Sequence, residues 1–300
     1  MDVNSFFRTL NVKMEPSLQV HMKNVYACVS MATLSAAVGA FIHVFTGILS
    51  GGILSALGSI GFMFALMNTP DDGKNTKTRL GYLMAFAFLS GLGLGPILDV
   101  AIALNPAIVP TAFFSTCLVF TCFTLASMFS DQRRFIYLGG TLMSLLSFMT
   151  LAAFLNIFMG SYLLFKAHIY LGLVVMCLFI LFDTQVIMEK RRNGDKDYIW
   201  HSICLFLDLI QVFRYLLAIL ADKFLFFYGY RHFPFFERRR YEFENRALAP
   251  FWRGSKNSSP RGWAKVGIYR WNIWKLTKRR NSRAVKLFLE VEHCVILCIL

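Results

Sequence analysis

Seven times along its 300 residues this chain runs apolar for about twenty positions, the length a helix needs to cross the ~30 Å hydrocarbon layer of a bilayer. The spans fall at about Val25–Phe45, Ile48–Met67, Leu80–Ala101, Ala107–Phe129, Phe135–Leu155, Ile169–Ile187 and Ile199–Leu220. Lipid offers no partner for a peptide N–H or C=O, so each such stretch must satisfy its backbone internally, as a helix. Charged residues are only 16% of the chain, against the ~25% usual in soluble domains. The predicted fold is therefore all-α: a polytopic membrane protein with a seven-helix transmembrane domain over residues 25–220, after an N-terminal segment 1–24. Arg8, Lys13, His21 and Lys23 precede a first span too long for a signal h-region, so that span is expected to remain as an anchor.

Two of the spans carry an aspartate deep in apolar sequence, Asp183 in LFILFDTQV and Asp208 in CLFLDLIQV. A carboxylate near the middle of a spanning helix costs about 2.5–3.5 kcal/mol on insertion scales and usually faces a bundle interior or a watery cavity. Asp183 lies seven residues before Lys190, about 10 Å, and Asp208 ten after Tyr198, about 15 Å, at 1.5 Å per residue. An antiparallel hairpin turning at MEKRRNGDKDY would hold them at similar depth. One such acid could be a hydrogen-bonded link between helices; a matched pair points to an ion or proton pathway.

Asp208, Gln211 and Arg214 recur at i, i+3 and i+6, one polar stripe on an otherwise apolar helix, which places the last helix at the centre of the bundle. Basic residues crowd the N-terminus and the second, fourth and sixth loops (Lys74, Lys77 and Arg79; Arg133 and Arg134; Lys190, Arg191, Arg192 and Lys196). The positive-inside rule makes these ends cytosolic. A full seventh crossing would then put the basic tail on the far side, so the last segment either re-enters or spans against the rule.

Gly47 with Gly51 and Gly91 with Gly95 satisfy the small-residue spacing of close helix approach. Pro96 should kink the third span. Asp99, about 30 Å from Arg79 along the helix, falls near the non-cytosolic mouth, as do His43 and His168, to which no role is assigned. The seven cysteines show no metal spacing and read as small helix-packing residues. Neither a metal site nor a cofactor is expected.

Residues 1–220 hold 14 Lys and Arg against 11 Asp and Glu, whereas residues 221–300 hold 17 against 6. This basic, aromatic-rich tail lacks a span. It reads as a poorly ordered or interfacial segment on anionic membrane lipids, each base worth ~1 kcal/mol there. Nucleic-acid binding has no recognisable module behind it.

YLGLVVMCLFILFDTQ and GDKDYIWHSICLFLDLIQVFR, with GLGLGP and NPAIVPTAF upstream, closely resemble the Bax inhibitor-1 family of transmembrane proteins over about residues 20–220. The resemblance implies a seven-helix bundle, an endoplasmic reticulum location, suppression of programmed cell death and a pH-dependent calcium leak. It also implies that Asp183 and Asp208 form the pH sensor, with calcium as the permeant ion. Apoptosis regulators and ER-stress proteins are the expected protein partners. The tail departs from the family pattern, which ends in a short Lys-rich run; a splice form or an intron read into the gene would explain that.

Two other functions fit a membrane body with paired acids. Intramembrane aspartyl proteases also place one Asp on each of two helices, but resemble Tyr-Asp followed by Gly-x-Gly-Asp; here Phe182 precedes Asp183, and Phe206-Leu207 precede Asp208. No enzyme is therefore expected. A regulatory adaptor binding apoptosis or stress proteins would keep its activity without either aspartate, whereas a channel would not.

Overall fold

The computed structural model describes residues 15–46, 53–130, 135–159 and 161–232. Their elements in chain order are α1 (Pro16–Thr46), α2 (Ile53–Met67), α3 (Thr76–Gly93), α4 (Gly95–Leu104), α5 (Ile108–Met128), a 3-10 turn (Ile136–Leu138), α6 (Gly139–Met159), α7 (Tyr162–Arg192) and α8 (Tyr198–His232). The described residues form no strand, and the protein is an all-α polytopic bundle.

Among the described residues five helices are long and apolar enough to cross a membrane, α1, α5, α6, α7 and α8, and six if the bent pair α3 and α4 counts as one span. That pair meets at 42°, with Pro96 in the first turn of α4, so the expected kink is a break between two helices. α2 has 15 described residues, short of a full crossing, and residues 47–52 of the expected second span lie outside the described residues. Helices also run past the hydropathy limits. α1 begins at Pro16, where a missing N–H costs nothing in a first turn, and α8 continues beyond Leu220 to His232. Hydropathy marks where lipid begins, not where backbone hydrogen bonding stops.

The outer surface confirms the solvent. Phe45 is 72% exposed on α1, Phe114 71% on α5 and Phe158 76% on α6, a cost water would impose and hydrocarbon does not. Cys117 and Cys122 share this outward face of α5, which corrects their reading as packing residues; Cys28 and Cys177 are buried as expected, and Cys294 and Cys298 lie outside the described residues. Enclosure is greatest in α7 and α8, equally. α8 packs against α1, α3, α4, α5 and α7, the central position its polar stripe requires.

Backbones touch where glycine allows it. A Cβ at Gly91 would run into the backbone of Ala36, one at Gly39 into the carbonyl of Phe88, and one at Gly95 into the ring of His43, so α1 lies directly on α3 and α4. Ser35 Oγ donates to the Met84 carbonyl at 2.9 Å along the same seam. Gly47 and Gly51 lie outside the described residues. Because the obstacles at Gly39 and Gly91 are backbone atoms, the neighbours cannot swing aside. Gly91→Ala and Gly39→Ala are each expected to lower stability in detergent by about 1–3 kcal/mol, the usual penalty of overpacking. Gly81→Ala, with nothing within 4 Å, should be neutral or slightly stabilising in the same thermal melts.

Candidate functional site

The α7–α8 hairpin is set by local chemistry at its turn. Lys190, Arg191 and Arg192 occupy the last turn of α7, where positive charge suits the helix dipole. Gly194 then takes φ +100°, the left-handed conformation that ends a helix, while its N–H and that of Asp195 donate to the carbonyls of Arg191 and Lys190. Asp197 caps α8: its Oδ1 accepts from Trp200 N at 2.9 Å. Further along the hairpin, Gly172 on α7 leaves room for the fully buried ring of Tyr215 on α8.

That register brings the buried carboxyl groups of Asp183 and Asp208 near enough to each other to share a hydrogen bond. A carboxylate has only acceptors, so such a bond needs a proton on one partner. The Tyr26 hydroxyl of α1 lies among Thr124 of α5, Thr184 of α7 and Asp208. Asp208 Oδ2 and both ends of the Gln211 amide are buried without a hydrogen-bond partner among the described residues. Arg214 completes the stripe and is also buried. Buried polar atoms of this kind are normally satisfied by protein or ordered water.

Asp99 does not join the pair. Its carboxylate is half-exposed on α4, 3.3 Å from His43 Nε2. At the same end of the bundle Lys166 Nζ meets Asp222 Oδ2 at 3.3 Å, across α7 and α8. His168 lies beside Tyr215, with ring centroids 6.1 Å apart.

Sequence reasoning missed the residues at the opposite, basic end. Arg79, counted above only as a loop charge, is buried at the start of α3; its Nη2 donates to Asp197 Oδ2 and its Nη1 lies 3.1 Å from Asp71 Oδ1. His21 of α1 and His201 of α8 are likewise buried and paired, Nε2 to Nδ1, at 3.0 Å. The available signal was a polar side chain at the boundary of an apolar run, which hydropathy alone assigns to the loop.

With this geometry in view, comparison with known proteins is decisive. The family model described as "Inhibitor of apoptosis-promoting Bax1" matches residues 18–224. The chain belongs to the Bax inhibitor-1 family. It is 54% identical to Bax inhibitor 1 of Bos taurus and 53% identical to that of Homo sapiens, each over 206 residues, 69% of this chain and 87% of the relative. Bax inhibitor 1 of Arabidopsis thaliana is 40% identical over 216 residues, 70% of this chain and 86% of the relative. The family match ends at residue 224, four residues into the tail, and holds both aspartates, Gln211 and Arg214. Within this family member Arg79 is the cation joining α3, the α2–α3 loop and the cap of α8. Arg79→Ala removes charge-assisted bonds from Asp197 and Asp71 and should lower thermal stability in detergent by about 1–3 kcal/mol, an effect Arg79→Lys recovers only in part because a point charge cannot span both acids.

Proposed function

We propose that this protein suppresses programmed cell death from the endoplasmic reticulum membrane, N-terminus cytosolic, as a pH-sensitive calcium leak whose sensor is the Asp183–Asp208 pair. One observation carries the reading: two buried carboxyl groups within reach of each other in the interior of the bundle, with an unpartnered carboxyl oxygen on Asp208 and an unpartnered amide on Gln211 one turn further along α8. Close carboxylates do not readily both ionise, so the pair gains and loses its shared proton as a unit. With the proton, the bond ties α7 to α8. Without it, two like charges face each other on packed helices, and the pair offers hard oxygen ligands of the kind calcium takes. Protonation thus biases a two-state packing of the hairpin. The names of the relatives, Bax inhibitor 1, support the cell-death side of the proposal.

The test is calcium efflux from vesicles holding only the purified protein, between about pH 5.5 and 8, a range that a shifted carboxyl reaches. Asp183→Asn and Asp208→Asn keep shape but remove an ionisable site. Each is expected to flatten or displace the pH dependence, and the double variant to add little to either, since shared networks are non-additive. Wild-type pH profiles in both single variants would make the pair a structural link and favour the adaptor.

A further inference from the structure

The basic end of the bundle holds a second buried pair of titratable groups that the aspartates do not use. His21 of α1 and His201 of α8 meet edge to face, ring centroids 5.2 Å apart, with His21 Nε2 3.0 Å from His201 Nδ1. Only 5% and 1% of their surfaces are accessible. The other ring nitrogen of His201, Nε2, lies 3.4 Å from Oδ2 of Asp195, whose carboxylate is exposed in the α7–α8 loop. One imidazole therefore stands between a solvent-facing carboxylate and a buried imidazole.

Proton counting distinguishes the states of this chain of groups. A neutral imidazole has one N–H and one acceptor, and an imidazolium has two N–H groups and no acceptor. With both rings neutral, His21 donates from Nε2 to His201 Nδ1, and His201 turns its own N–H, on Nε2, toward Asp195 3.4 Å away, so both contacts are already served. With one added proton, His201 donates from Nδ1 to His21 and turns Nε2–H toward Asp195, and both contacts persist. With two added protons, N–H faces N–H at 3.0 Å and the contact between α1 and α8 turns repulsive.

We infer that His21 and His201 form a second proton-responsive contact between α1 and α8, which can take up one proton through Asp195 without parting and opens when a second arrives. The charged groups facing it are Asp195 and Asp197 of the loop and Lys190 and Arg191 at the end of α7. Asp197 is in turn held by Arg79 of α3. With Arg79 counted, two acids and three bases surround the pair, a slightly positive setting that opposes a second proton. The site sits seven residues, about two turns, before Asp208 on the same helix. Resting on the leak reading, its consequence is that protons at the basic end hold or release the N-terminus of the helix that carries the sensor.

The site itself is tested without calcium. The full chain, labelled with 15N-histidine and placed in lipid nanodiscs, has six histidines. Two of the imidazoles are expected to show a scalar coupling across an N–H···N bond that disappears at acid pH. His21→Gln should displace the His201 titration midpoint by roughly one pH unit, as for charges in close contact, and Asp195→Asn should displace it as well. Absence of the coupling in the wild-type protein, which needs no variant to fold, overturns the site. So does a His201 midpoint that ignores His21→Gln. Coupled histidines in a protein that leaks no calcium would support the site while removing the leak.

Discussion

Two carboxyl groups inside an apolar bundle are tolerable only if they satisfy one another, and the rest of this structure serves that requirement. An isolated buried charge costs several kcal/mol even after relaxation. Asp183 and Asp208 can avoid two such charges by sharing a proton, which demands that α7 and α8 meet at one register. The basic last turn of α7, the left-handed Gly194, the Asp197 cap and the close seat of Tyr215 over Gly172 all set that register. A shift of one residue in the hairpin would turn an aspartate from its partner.

Around the hairpin, ionic and hydrogen-bonded links sit at the two ends, whereas the walls are largely apolar. Arg79 with Asp71 and Asp197, and His21 with His201 and Asp195, hold the basic end; His43 with Asp99, and Lys166 with Asp222, hold the other. At these ends Asp99 and Asp195 face solvent, whereas Asp183 and Asp208 are enclosed. Close contact of α1 with α3 and α4 through Gly39, Gly91 and Gly95 gives the bundle a rigid side against which α8 is positioned.

Much of this was legible in the sequence because lipid imposes simple rules. Span length, the acids Asp183 and Asp208 at matched depth, and the i, i+3, i+6 stripe through Gln211 and Arg214 follow from helix rise and period. Asp99 lay well away from the pair, as its distance along the third span implied. Less visible were features that depend on which helices adjoin. Arg79 reads as a positive-inside charge until Asp197, 118 residues later, is seen beside it, and His21 meets His201 across 180 residues. The described helices α1 and α8 also extend past the hydrophobic spans, to Pro16 and His232; no local signal says that a helix continues beyond the hydrocarbon.

The central claim is that the interior pair holds a proton between its carboxyl groups, and infrared difference spectroscopy of the protein in lipid tests it directly. With 13C-aspartate labelling, the account expects one protonated-carboxyl C=O band per chain at near-neutral pH, shifted or lost in both Asp183→Asn and Asp208→Asn and unchanged in Asp99→Asn. A folded protein with no such band across its pH range, or with a band that only Asp99→Asn removes, would contradict the account.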